Sequence, residues 1–186
     1  MLDAAITVSQ ASRDNLSLRA AFPPEKIFVI PNAINTEEFK PNPALQSPKG
    51  TINIVVMSRL TYRKGVDLLV SVIPDIVLKY PSVRFIIGGD GPKMDILEEM
   101  RDEYDLADKV EFVGMVPTTE VKNVLCRGHI FLNTSLTEAF CIALLEAASC
   151  GLLCVSTNVG GIPEVLPPDM VYLAPPSPEA LIKRVE

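Results

Sequence analysis

The sequence predicts an α/β fold built on a doubly wound parallel sheet, and three observations predict it. Short apolar runs alternate along the chain with longer amphipathic ones, which is the strand-helix rhythm of such sheets. Several short runs are continuous in Val, Ile, Leu and Phe rather than alternating, as suits strands buried on both faces. The chain has 186 residues, 48% hydrophobic and 22% charged. A chain of that length buries roughly 70% of its unfolded surface, and this composition is not that of a disordered segment.

The elements follow in order. Ala5–Val8 reads as a strand, and Ser9–Ala21 as a helix that opens on a residue suited to an N-cap. Ile27–Ile30 is the next strand. Pro31–Gly50 then breaks the rhythm, with Pro31, Pro41, Pro43 and Pro48 set among Asn and Ser, and reads as a linker. Beyond it comes the strand Ile52–Met57 and a helix over Val66–Tyr80, whose Val66, Leu69, Val70, Ile73, Ile76 and Val77 fall at helical spacing. Pro74 is expected to kink or split that helix. Val83–Ile87 (strand), Lys93–Tyr104 (helix) and Val110–Val113 (strand) continue the alternation. Thr118–Arg127 is a helix with Glu120 in its first turn, where an acid is favoured. Strand Ile130–Asn133 leads to a helix over Ala139–Ser149 that Gly151 ends. Strands Leu152–Ser156 and Val171–Leu173 follow, then a short helix Pro178–Val185, with Pro in its first turn after Ser177. The chain thus divides into residues 1–30, a linker at 31–50 and a compact lobe at 51–186. Both ends read as cut, the first almost inside a strand and the last inside a helix.

Composition excludes several functions. Net charge is −6, and a field of that sign repels nucleic acid. Cys126, Cys141, Cys150 and Cys154 lack CxxC spacing and read as small buried hydrophobes in a reduced compartment. The single histidine, His129, completes no zinc quartet and reads as a strand-edge residue. No apolar run reaches the roughly 18 residues of a transmembrane helix, and the segment from Met1 has no basic stretch of a signal peptide. The 16 Pro and 10 Gly are scattered without period, so collagen and Pro-rich spacers are excluded.

Open α/β sheets bind ligands at the carboxyl ends of their strands. After Ile52–Met57 comes Ser58-Arg59-Leu60-Thr61-Tyr62-Arg63-Lys64-Gly65, three cations on one turn of an acidic protein, suited to a diphosphate or else a plain solvated loop. After Phe85–Ile87 comes Gly88-Gly89-Asp90-Gly91-Pro92-Lys93, which taken alone is an ordinary strand-to-helix turn. It is neither a Walker loop nor a dinucleotide fingerprint, which argues against an NAD enzyme. After Ile130–Asn133 the helix expected from Ala139 leaves the backbone N–H groups of Phe140, Cys141 and Ile142 without intrahelical acceptors, an anion site. Glu138 stands at its mouth and Glu146 about two turns further in. The residues alone leave two readings open: an acid at the mouth of the anion site or a plain capping acid for Glu138, and an acceptor for sugar hydroxyls or a partly exposed helical acid for Glu146.

Taken together, Ser58-Arg59-Leu60…Arg63-Lys64-Gly65, Gly89-Asp90-Gly91-Pro92, Glu138-x7-Glu146 and Gly160-Gly161-Ile162-Pro163-Glu164 resemble the retaining glycosyltransferases of the GT-B fold, family 4. Pro31-Asn32-Ala33 resembles that family's segment at the junction of its two lobes. The resemblance implies a Rossmann-like C-terminal, donor-binding lobe at 51–186, with 1–30 as the last strand and helix of the first lobe. It further implies that Arg59 and Lys64 hold a UDP diphosphate. Ser58, Gly89, Asp90, Gly91 and Ala139 would adjoin the donor, and Phe140, Cys141 and Ile142 would offer N–H groups to it. Glu146 would accept from ribose hydroxyls, Glu138 would contact the donor sugar, and the uracil would lie near Met115. No metal or other cofactor is implied.

The residues Tyr62–Leu69, Asn133–Cys141 and Ile162–Pro167 resemble a branch of the family more closely. Its members transfer GlcNAc from UDP-GlcNAc to phosphatidylinositol within a multi-subunit complex, the first step of glycosylphosphatidylinositol (GPI) anchor synthesis, on the cytoplasmic face of the endoplasmic reticulum membrane. By that resemblance the acceptor contacts lie in the first lobe and the membrane anchor beyond the last residue, so this chain alone is expected to bind UDP-sugar weakly and not to transfer it. A transferase with a soluble acceptor, or a noncatalytic module that docks onto the other members of such a complex, are the alternatives.

Overall fold

The computed structural model describes residues 2–47 and 50–186. The readings placed on Met1 and Pro48 fall outside the described residues. The chain opens with β1 (Ala5–Thr7), α1 (Gln10–Ala20) and β2 (Ile27–Val29), in which β1 and β2 pair in parallel as a separate two-stranded sheet. The main sheet holds β3 (Ile52–Met57), β4 (Val83–Gly88), β5 (Val110–Gly114), β6 (Ile130–Asn133), β7 (Leu153–Thr157) and β8 (Val171–Ala174), all parallel, in the order β5-β4-β3-β6-β7-β8. Between them run α2 (Val66–Lys79), α3 (Met94–Glu103), α4 (Thr118–Leu125) and α5 (Ile142–Ser149), and α6 (Pro178–Val185) closes the chain.

The continuous apolar runs become strands because helices cover both faces of the sheet. On one face Ile54 and Val56 of β3, Phe85 and Ile87 of β4 and Leu132 of β6 meet Leu69, Ile73 and Ile76 of α2, Leu97 and Met100 of α3 and Leu181 of α6. On the other, Val55, Ile86 and Phe131 meet Val124 and Leu125 of α4, Leu144 and Ala147 of α5, and Ile162 and Leu166. Neighbouring residues of one strand thus serve opposite cores, as the period of two demands. Phe39, within the stretch 31–50, is buried in the second core.

Of the two outcomes expected at Pro74, a kink or a split, the split does not occur: α2 is one helix from Val66 to Lys79. Proline removes one N–H, but Val72, Ile73, Pro74, Ile76 and Val77 are all buried, so packing on both sides of the break holds the helix together. His129 lies at the amino end of β6, where its Nδ1 accepts from the Asn53 N–H at 3.0 Å. All four cysteines are buried and unpaired.

Candidate functional site

The order of strands reverses between β3 and β6, the place where open α/β sheets form a ligand crevice. The cationic turn leaves β3 there, and the turn bearing Glu138 leaves β6 beside it. The second turn grips the first: Thr134 Oγ1 donates to the Lys64 carbonyl at 2.8 Å, and the Leu136 N–H to the Arg63 carbonyl at 2.9 Å. Gly65 closes the join at φ +68°, where a Cβ would stand 1.8 Å from the Thr134 carbonyl oxygen. A side chain there would force the turns apart.

The result is a cluster of charge. Lys64 and Glu138 are partly buried, 22% and 16% exposed at the side chain, and Lys64 Nζ donates to Glu138 Oε2. Arg59 and Arg63 are exposed beside them, with no ion-pair partner among the described residues. Two cavities open on this cluster. One of about 350 Å³ lies between Ser58, Arg59 and Lys64 on one side and Asn133 and Phe140–Ala143 on the other. The second, about 710 Å³, lies between Arg59, Arg63, Lys64 and Glu138 and the α1 residues Ala11, Ser12 and Asn15. Arg59, Lys64, Glu138 and Ala139 border both.

The entrance to α5 is corrected by three residues. The helix starts at Ile142, not near Ala139, with Cys141 as its N-cap at φ 69°, ψ 73°. The carbonyls that an earlier start would use are engaged elsewhere. The Gly161 N–H donates to the Glu138 carbonyl at 3.0 Å, and Ser9 Oγ to the Ala139 carbonyl at 2.7 Å. The unsupported first-turn donors are therefore those of Ile142 and Ala143, while the Leu144 N–H turns back to the Cys141 carbonyl at 3.2 Å. Phe140 and Cys141 precede the helix but still line the narrower cavity.

Other predicted site residues stand outside both cavities. Gly89, Asp90 and Gly91 pack against the backbone of Ser58–Leu60: the Leu60 N–H donates to the Asp90 carbonyl at 2.9 Å, and a Cβ on Gly89 would stand 1.8 Å from the Ser58 carbonyl oxygen. Their conformational freedom lets two turns touch. Met115 is 79% exposed just past β5, beside that loop through the 2.7 Å bond from the Gly89 N–H to the Gly114 carbonyl. Glu146 is half-buried within α5. Burial pushes its carboxyl above the usual range, and the Glu38 carboxylate adds to that. The thiols are raised by burial, Cys141 to about 11 and Cys150 and Cys154 to about 12.

Sequence reasoning missed Asn133, Asn15 and the whole α1 wall. Asn133 was findable, since it is the polar end of an apolar strand and its Nδ2 donates to Ser156 Oγ at 2.8 Å in a buried network with Ser135. Nothing in the α1 sequence signals that it stands over the cationic turn.

Residues 37–186 match the family described as glycosyl transferases group 1. Over 185 residues the chain is 58% identical to an Arabidopsis thaliana subunit of phosphatidylinositol N-acetylglucosaminyltransferase, covering 100% of this chain and 41% of that protein. It is 55% identical over 181 residues to the Homo sapiens protein of the same name, covering 97% of this chain and 37% of the relative. It therefore spans about two fifths of the relatives' length. Among solved structures, Anabaena Alr3699/HepE in complex with UDP-glucose superposes with a TM-score of 0.84 at 22% identity, over 98% of this chain and 53% of that one, a likeness of fold.

Proposed function

Because this chain belongs to the group 1 glycosyl transferases, we propose that it is the nucleotide-sugar-binding part of an enzyme that transfers GlcNAc from UDP-GlcNAc to phosphatidylinositol. The observation that carries the reading is the convergence of Arg59 and Lys64 with the start of α5 across one cavity at the switch point of the sheet. The identity to the plant and human proteins, each named as a subunit of phosphatidylinositol N-acetylglucosaminyltransferase, supports the transferred sugar, the acceptor and an association with further subunits. The place in GPI-anchor synthesis and at the cytoplasmic face of the endoplasmic reticulum follows from the motif resemblance. No helix among the described residues is long and apolar enough to cross a membrane.

In the reaction the bond from the anomeric carbon to the diphosphate oxygen breaks, its electron pair leaves with UDP, and the acceptor hydroxyl bonds to that carbon as its proton passes to the departing diphosphate oxygen. Arg59 and Lys64 offset the charge growing on the diphosphate, so the reading requires no resident metal. The N–H groups of Ile142 and Ala143 add donors at the positive end of α5. Glu138 faces the donor sugar and stabilises cationic character at its reacting carbon, in a retaining transfer. Glu146 accepts from the ribose hydroxyls, and the base lies toward Met115.

The Lys64–Glu138 pair gives this scheme a switchable contact. A diphosphate competes for the ammonium, and as Lys64 turns to it the Glu138 carboxylate is released toward the sugar. Calorimetric titration with UDP-, GDP- and ADP-sugars tests the reading. UDP-GlcNAc is expected to bind best, and Lys64→Ala to weaken it several-fold. Equal affinity for the three nucleotides, or for the two proteins, contradicts it.

A further inference from the structure

The Gly160-Gly161-Ile162-Pro163-Glu164 segment has no part in the transfer scheme, yet the structure gives it one. Helix α1 buries no residue of its own, so apolar packing does not hold it against the main lobe. Its first-turn N–H groups are held instead by oxygen atoms. Ser9, 1% exposed, caps Ser12 at 3.1 Å and donates to the Ala139 carbonyl. The Glu164 carboxylate, 154 positions away, takes the other two: Oε2 accepts from the Gln10 N–H at 2.6 Å and Oε1 from the Ala11 N–H at 3.0 Å. Glu164 ends a turn anchored by the buried Ile162, and Gly161 packs so closely that a Cβ on it would stand 2.1 Å from the Ala139 carbonyl oxygen and 2.7 Å from Ser9 Oγ.

We propose that Glu164 and Ser9 form a clasp that docks the β1-α1-β2 unit on the sheet and so sets the far wall of the wider cavity. Both are positioning residues. The clasp acts at two points of the site. It places Ala11, Ser12 and Asn15 opposite Arg59, and through Ser9 it holds the Ala139 carbonyl, next in the chain to the carboxylate paired with Lys64. A carboxylate suits the task because it accepts from two N–H groups at once and complements the positive helix end. An amide in its place offers a single acceptor oxygen and no charge.

The test is amide hydrogen exchange on the full chain, comparing wild type, Glu164→Gln and Ser9→Ala, the last altering the clasp from the α1 side. Exchange across residues 10–20 is expected to quicken about tenfold in both variants, a factor worth about 1.4 kcal/mol, with the strands β3–β8 unchanged. A role in general stability would instead quicken exchange everywhere. A second arm rests on the nucleotide-sugar reading and measures UDP-GlcNAc affinity, expected to fall several-fold in Glu164→Gln. Unchanged exchange over α1 in both variants, or a general rise, overturns the clasp. Faster α1 exchange with unchanged affinity overturns the positioning role. A wild-type chain that binds no uridine nucleotide sinks the function while the exchange arm still decides the clasp.

Discussion

Lys64 and Glu138 form a partly buried ion pair that joins the two turns of the site, and in the proposed scheme each sets the other's availability. Replacing Glu138 by Gln removes the anion with which a diphosphate competes. UDP is therefore expected to bind Glu138→Gln at least as tightly as wild type, and UDP-GlcNAc to gain less because the sugar loses its carboxylate. A loss of UDP affinity as large as that of Lys64→Ala would place Glu138 on the phosphate side instead. Glu146 is the opposite case, a carboxylate in no ion pair among the described residues. Its folded-state pKa is raised above the ordinary 4.5, first by burial and then by Glu38. The folded chain therefore holds this proton more tightly than the unfolded one. The stability that follows is complete below the ordinary value and is lost as pH rises through the raised one. Glu146→Gln is expected to leave the melting temperature at neutral pH unchanged or higher, with the gain over wild type shrinking on acidification, while UDP affinity falls. A lower melting temperature with unchanged binding would assign Glu146 to the fold alone.

At the scale of elements, the entrance to α5 is where local sequence and tertiary structure part. Ala139-Phe140-Cys141 reads as helical from its neighbours, and the later start at Ile142 comes from Ser9 and Gly161, far off in sequence, engaging the Ala139 and Glu138 carbonyls. The cost is a left-handed Cys141 at φ 69°. A β-branched side chain resists that region, so Cys141→Val is expected to lose about 1–3 kcal/mol of stability. Cys154→Val in β7, where a β-branched residue suits the backbone, is expected to lose less. Denaturant midpoints compare them directly, and equal losses would contradict the strain at Cys141. Elements that depend on their own sequence were legible: Ile52–Met57 and Ile130–Asn133 read as strands from short runs dominated by Ile, Val, Leu and Phe, and Pro178–Val185 from its Ser and Pro start. Pro74 does not split α2 because the rule for proline is local and the burial that holds α2 together is not.

For the whole molecule, the doubly wound parallel sheet and its likeness to GT-B glycosyltransferases were legible, because strand-helix alternation and the spacing of four motifs are both written along the chain. The cationic turn and the Glu138 turn were legible as candidates for the same reason. Their convergence on one sheet edge was expected, since both turns follow strands and the motifs place Arg59, Lys64 and the next helix's start on one donor. The contacts that hold them together, such as Thr134 to Lys64 across 70 positions beside the reversal between β3 and β6, were not legible. The α1 wall was illegible too, because a helix with no fully buried residue leaves little apolar pattern to read. In a chain of net charge −6, Arg59, Arg63 and Lys64 border one crevice, a local cluster that would draw an anionic ligand against the field of the rest. The central claim is that this cluster grips a pyrophosphate. Calorimetry of UDP on wild type and on an Arg59→Ala, Lys64→Ala double variant with an unchanged circular dichroism spectrum tests it most directly. Binding by wild type and a loss of tenfold or more, about 1.4 kcal/mol, in the variant is the expected result. Equal affinity in the two proteins would contradict it.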